Sequence, residues 1–304
     1  MKSQGELWYT WIDPSSGLQT GLACNYFGVV EAMKSLETTI KRVALINDMS
    51  CFGKCSLTVA VPIISAFGCE TVPLPTALLS THTGEFQGYT RLDLTGEMEK
   101  IISHWQEMKL EFDCIYTGYF CSERQIDLCI DFIKQFKTPD TLLIVDPVMG
   151  DNGSLYDGFS ESFAEKMGEL VKYADVITPN LTEAAILSGM SMEDSPEKIA
   201  LALPTERLAI TGVREVGEIG YVVKADGVVS RVMEPIVDCP LHGSGDVFTS
   251  ALCGELMNKP DFWEAARWAA KFCDECIRDT APLQPRHWYG IMFEEAMKRR
   301  HKPW

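Results

Sequence analysis

From residue 42 onward the apolar positions of the chain fall into two alternating patterns. Short runs such as RVALIN (42–47), CIYTG (114–118), LLIVDP (142–147), DVITP (175–179) and RLAITG (207–212) lack polar alternation, which predicts strands buried on both faces. A further strand is predicted at 69–74, followed by a loop to Leu94. Between the strands, segments near 56–66, 95–109, 122–136, 160–172 and 182–188 repeat apolar residues at helical spacing. IGYVVKA (219–225) and GVVSRVM (227–233) alternate instead, which predicts an antiparallel pair at the sheet edge. The last third reads as helices over 245–257, 260–279 and 285–299. Strands alternating with helices predict an α/β fold: a mostly parallel central sheet, helices on both faces and right-handed crossovers. Ligands of such sheets bind beyond the carboxyl ends of the strands. Asp48, Thr117, Asp146, Asn180 and Thr211 stand there.

Residues 1–40 have no sustained period despite Trp8, Tyr9 and Trp11, and a second methionine, Met33, precedes the first strand. They read as an N-terminal extension, with 1–32 a start assigned too early; a packed N-terminal arm is the alternative. Residues 41–304 read as a single domain without repeat or linker. At 46% hydrophobic and 23% charged the chain has globular composition, which excludes a disordered or fibrous protein. Its net charge of −16 repels nucleic acid and anionic lipid, so neither is an expected partner. No apolar run approaches the roughly 20 residues needed to span a bilayer. A phosphate ligand would have to be held by backbone amides or a metal rather than by a basic field. The 11 cysteines lack framework spacing and point to a reducing, cytoplasmic compartment. Only Cys273-x-x-Cys276 has metal or redox spacing, and both sulfurs fall on the apolar stripe of a helix, so the pair reads as structural.

No P-loop, dinucleotide or nucleophile-elbow motif is present in the sequence. The chemistry concentrates instead in LHGSGDVFTSALCGEL (241–256), where Gly243-Ser244-Gly245-Asp246 opens an apolar helix. Small residues let a ligand approach the backbone, and the free N–H groups of a first turn form an anion site that needs no lysine. Asp246 inside that turn suits a general base for an acceptor hydroxyl; a helix-capping aspartate is the alternative. Two more polar clusters end successive strands. Asp146-Pro147-Val148-Met149-Gly150-Asp151 follows one, and Thr178-Pro179-Asn180-Leu181-Thr182-Glu183 follows the next. Hard oxygen ligands on adjacent strand ends suit Mg²⁺ shared with phosphates. Asn180 and Glu183 also have capping-box spacing, so a structural role stays open.

N-x-x-E (Asn180–Glu183) followed by G-[ST]-G-D (Gly243–Asp246) resembles the ribokinase-like superfamily of small-molecule kinases. The stretches LSTHTGEFQGY (79–89), IYTGYFCSE (115–123), VDPVMGDNGSLY (145–156), ADVITPNLTEAAILSG (174–189) and DCPLHGSGDVFTSAL (238–252) resemble pyridoxal kinases more closely. The resemblance implies a ribokinase-like three-layer sandwich, a homodimer, and ATP-dependent phosphorylation of the 5′-hydroxymethyl group of a vitamin B6 vitamer. By position it makes Asp246 the catalytic base, Gly243, Ser244 and Gly245 its anion hole, and Asp146 and Glu183 the residues near Mg²⁺ and the ATP phosphates. Asp151, Asn180, Thr211 and Gly212 fall on the nucleotide side, and Thr83 and Tyr119 on the substrate side. His82 reads as a structural loop residue. A monovalent cation stays open. Asp48 departs from the pattern: these kinases usually carry a serine there, whereas hydroxymethylpyrimidine kinases carry an aspartate. The alternatives are therefore a hydroxymethylpyrimidine or sugar kinase, or a non-catalytic vitamer-binding sensor.

Overall fold

The computed structural model of the chain describes residues 40–237, 239 and 241–300. The N-terminal extension expected from the sequence lies outside these residues, apart from Ile40; residues 41–304 form one compact unit. In order, the first half comprises β1 (Arg42–Phe52), α1 (Leu57–Ala66), β2 (Glu70–Thr81), β3 (Arg91–Asp93), α2 (Thr95–Glu107), β4 (Cys114–Thr117), α3 (Glu123–Phe136) and β5 (Leu142–Val145). A hairpin of β6 (Gly150–Asp151) and β7 (Ser154–Leu155) follows, then α4 (Glu161–Val171), β8 (Val176–Ile177), α5 (Leu181–Ser188) and α6 (Pro196–Ala202). The chain continues with β9 (Arg207–Glu215), β10 (Glu218–Ala225), β11 (Val228–Pro235), α7 (Ser244–Asn258), α8 (Phe262–Thr280) and α9 (Glu294–Arg300).

Nine strands form one sheet in the order β11-β10-β9-β8-β5-β4-β1-β2-β3. β2, β1, β4, β5, β8 and β9 run parallel, and antiparallel strands close both edges. β1 shows why the sheet is covered twice. Val43 and Leu45 join the core layer built with α1, α7 and α8, while Ala44 and Ile46 join the layer built with α2 to α6. Burial of each such aliphatic side chain contributes about 1.5–3 kcal/mol. Among the described residues no helix is long and apolar enough to cross a membrane. Cys273 and Cys276 are both buried in the core layer under α8.

The structure corrects the sequence reading at four places. β1 does not end at Asn47 but continues through Asp48 to Phe52. Its register against β2 slips there: Asn47 faces Pro75, whereas Met49 faces Leu78, a bulge beside polar residues that look like a strand end in sequence. β2 likewise runs on to Thr81, and β3 pairs with its residues Ala77–Leu79. Pro73 and Pro75 lie where β2 has a partner on one side only, which is where a strand tolerates proline. The helix expected over 285–299 is confined to Glu294–Arg300. Before it, Trp288 and Tyr289 pack on Phe86 and Phe52, and Gly290 bridges to Lys54. Last, α6 went unread, although Ser195 caps it and Pro196 occupies its first turn.

Candidate active site

Gly243 sets the entry to α7. Its φ of 86° is left-handed, and a Cβ there would lie 2.0 Å from the Lys54 carbonyl oxygen, so only glycine fits. Ser244 is exposed, and a Cβ on Gly245 would first meet Asp146 Oδ2 at 4.0 Å, which leaves this first turn open toward the cleft. Its N–H groups have no partner within the helix. Asp246, half-buried in the same turn, accepts hydrogen bonds from the Ser56 backbone N–H and the Asn47 side-chain amide. Burial pushes its carboxyl up to about 7, the neighbouring Asp48 charge adds to the rise, and the two donors oppose it. A carboxyl poised near neutrality at a helix N-terminus has the properties of a general base.

The end of β1 supports Asp246 from below. Asn47 Oδ1 accepts the N–H of Tyr119 at 2.8 Å and that of Asp48 at 2.9 Å, which fixes its amide toward Asp246. Gly118 has to be glycine because a Cβ would lie 2.4 Å from Asn47 Nδ2. Asp48 is buried and accepts hydrogen bonds from Ser50 Oγ at 2.8 Å and from Ser56 Oγ. Burial raises its carboxyl above the usual range, and the two hydroxyls oppose that. Tyr119 is half-buried, its ring 5.8 Å from that of Phe159, and burial raises its hydroxyl pKa, with the charges of Cys121 and Asp48 adding. Thr83 is exposed on the loop after β2. Its neighbour His82 is buried, bonded to the Tyr289 carbonyl at 2.8 Å and packed edge-to-face with Phe86, as a structural loop histidine would be.

Asp146 and Glu183 meet at the ends of β5 and β8. Asp146 is buried; burial raises its pKa strongly, the charges of Glu183 and Asp246 raise it further, and the nearby Thr249 hydroxyl opposes the rise. Glu183 closes a complete capping box with Asn180. Its Oε2 accepts the Asn180 N–H at 2.8 Å, and its Oε1 accepts the Met149 N–H at 3.0 Å. Burial pushes Glu183 up to about 8 against these donors. Asn180 Nδ2 donates to the Gly150 carbonyl at 2.7 Å, so the hairpin and α5 are tied together. Thr211 bridges to Asn180 and donates its N–H to the Pro179 carbonyl at 2.9 Å. Gly212 (φ 70°) and Asp151 stand exposed at the rim.

The structure thus sets Asp246 beside Asp48 and Asp146, and Asp146 beside Glu183, as a row of buried and half-buried acids. Among the described residues no three acidic, histidine or cysteine side chains converge as metal ligands. Thr83, Asp151, Ser244 and Gly212 lie at exposed positions. Sequence reasoning missed Asn47, Ser50 and Ser56, which position these carboxylates. Only Asn47 carried a signal, as a polar residue closing an apolar run.

The sheet order and the helix opened by Gly243 are those of an α/β protein of the ribokinase-like small-molecule kinase class. The sequence pattern of the phosphomethylpyrimidine kinase family matches residues 61–292, and the chain belongs to that family. A Bacteroides thetaiotaomicron protein assigned as a phosphomethylpyrimidine kinase, crystallised in a form with pyridoxal, is 37% identical and superimposes with a TM-score of 0.80 over 87% of this chain and 97% of its own. The pyridoxal kinase of Lactobacillus plantarum is 27% identical, with a TM-score of 0.80 over 86% of this chain and 96% of that one. The Bacillus subtilis pyridoxine kinase is 33% identical over 184 residues, 56% of this chain and 66% of its own length.

Proposed function

We propose that the chain is a vitamin B6 vitamer kinase, moving the γ-phosphoryl group of ATP to the 5′-hydroxymethyl group of pyridoxal, pyridoxine or pyridoxamine. The observation that carries this is Asp246: a carboxyl near neutral pKa, aimed by two donors, in the first turn of α7 beside open N–H groups. Asp246 would take the proton of the hydroxymethyl group as its oxygen attacks the γ-phosphorus. The N–H groups of Ser244, Gly245 and Asp246 would stabilise the charge on the transferred group, mostly through position and electrostatics. Asn180, Thr211, Gly212 and Asp151 would line the nucleotide side, and Asp48, Thr83 and Tyr119 the ring side. The kinship supports this reading, since the curated relatives are pyridoxal and pyridoxine kinases.

The acidic cluster also bears on Mg²⁺. Asp146 fits a hard divalent cation: it is buried, and two further carboxylates load it with negative charge. Glu183 fits less directly, because backbone N–H groups occupy both of its oxygens. Asp146 would therefore hold the ion, with Glu183 contributing charge beside it. The ion supplies neutralisation of the phosphate oxygens. Homodimerisation and a cytoplasmic location belong to the same proposal. Nine cysteines among the described residues, Cys239 set aside, are free thiols, in keeping with a reducing compartment.

A second reading, hydroxymethylpyrimidine kinase, is favoured by one feature, the aspartate at position 48. ADP release measured in parallel with pyridoxal, pyridoxine, pyridoxamine and hydroxymethylpyrimidine decides between them. Turnover confined to the pyrimidine would overturn the B6 assignment, and binding without ADP release would point to a sensor.

A further inference from the structure

Ser56 holds an unusual backbone. Its φ of 57° and ψ of −131° lie outside the right-handed and extended regions open to most residues, in territory that glycine occupies at least cost. Yet the side chain is used. Its hydroxyl donates to Asp48, while its backbone N–H donates to Asp246. One residue at the start of α1 therefore grips an acid on β1 and an acid on α7. Its own carbonyl accepts the N–H groups of Val59 at 3.0 Å and Ala60 at 2.9 Å, so the grip is anchored to the first turn of a helix. Other groups cannot replace it. The groups that bear on Asp246 from neighbouring elements are Asn47 and Asp48 on β1, Tyr116 on β4, Asp146 just past β5, Tyr156 just past β7 and Cys55 before α1, and none is a cation.

We propose that Ser56 is a positioning residue of the phosphoryl-transfer site: a clasp that fixes the acceptor-side carboxylate of Asp48 and the carboxylate of Asp246 in one mutual geometry. The proposal rests on the kinase reading above. It explains why serine stands where glycine would fit the backbone better. The strained conformation aims the N–H at one acid and the hydroxyl at the other, and only a hydroxyl-bearing side chain satisfies both.

Ser56→Gly is the informative variant, because it relieves the backbone while deleting the hydroxymethyl group that carries the donor. Measured in the full chain, it should retain or raise Tm and leave the KM for ATP unchanged. Its kcat/KM for the B6 acceptor should fall about tenfold or more, the size expected for a lost hydrogen bond to a charged group. Ser56→Ala should show the same kinetic loss with a lower Tm; if it does not fold, Ser56→Gly still carries the test. Because the hydroxyl acts through Asp48, the loss should largely vanish when Ser56→Gly is made in an Asp48→Ser background. Wild-type kcat/KM in Ser56→Gly, or losses that simply add in the double variant, would overturn the clasp. A wild-type chain that releases no ADP with any vitamer would instead sink the kinase reading and the clasp with it.

Discussion

At Asp246 four influences meet: burial and the charge of Asp48 raise its pKa, while the Asn47 amide and the Ser56 N–H lower it. The outcome, about 7, leaves the group ionised in a good part of the population at neutral pH and still basic enough to accept a proton. Asp246→Asn keeps the shape and removes the base. Its kcat should fall by about 10²–10⁴ while ATP affinity is retained, which single-turnover kinetics beside nucleotide titration would read. Near-normal turnover would assign the base elsewhere. In the wild type, kcat/KM should decline on the acid side as pH drops through about 7, because the carboxyl is then protonated before it can act. Asp48 sets a second test at this scale. Both of its oxygens already accept a hydroxyl, from Ser50 and Ser56, so it presents a fixed acceptor rather than a mobile one. Each carboxylate oxygen keeps a further lone pair, so a ring that offers a donor should be preferred. Asp48→Ser should therefore change the ranking of kcat/KM among the three vitamers and the pyrimidine. An unchanged ranking would leave ring selection to Tyr119 and the backbone.

The elements show how the chain builds this geometry and how far its sequence discloses it. α5 begins with a capping box whose glutamate, Glu183, also binds two N–H groups of the 149–150 turn. Glu183→Gln replaces one acceptor oxygen with a donor that faces a backbone N–H. Tm should fall, by about 1–3 kcal/mol of stability, and the Mg²⁺ concentration for half-maximal activity should rise. A lower Tm with an unchanged Mg²⁺ requirement would reduce Glu183 to a structural cap. The parallel strands and the helices over them were legible because doubly buried strands and amphipathic helices leave opposite apolar periods. G-S-G-D and N-x-x-E were legible because they concentrate small and polar residues where an apolar run stops. The extension of β1 was not, since a bulge interrupts its period at Asp48 and replaces core residues with site residues. Nor was the path of 284–293, where aromatic residues pack on Phe52 and Phe86 across the fold and override helical spacing. Ser56 was invisible for a different reason: its hydrogen bonds join segments nearly two hundred residues apart, which no local pattern records.

Across the whole molecule, the acidic cluster sets a dependence of stability on pH that the overall charge reinforces. Asp146, Glu183 and Asp246 all have folded-state pKa values raised above their ordinary ones, Glu183 to about 8 and Asp246 to about 7. A raised carboxyl binds its proton more tightly in the folded chain than in the unfolded one. The stability this confers is complete below the unfolded pKa values of 3.8 and 4.5 and is lost as pH climbs through the folded ones. A net charge of −16 at pH 7 adds self-repulsion over the same range. In chelator-treated buffer, Tm should therefore decline from about pH 5 to pH 8. A divalent cation held at Asp146 opposes that decline, because it binds the ionised cluster and so favours the folded chain more as protons leave. The gain follows mass action, about 2.7 kcal/mol at a hundredfold excess of free ion over Kd. Thermal melts in chelator and in Mg²⁺ across this range should converge at the acid end and separate toward pH 8. Asp146→Asn should flatten the chelator curve and close the gap between the two. If Mg²⁺ raises the Tm of Asp146→Asn as much as that of the wild type, the ion binds elsewhere, and the cluster serves the proton transfer alone.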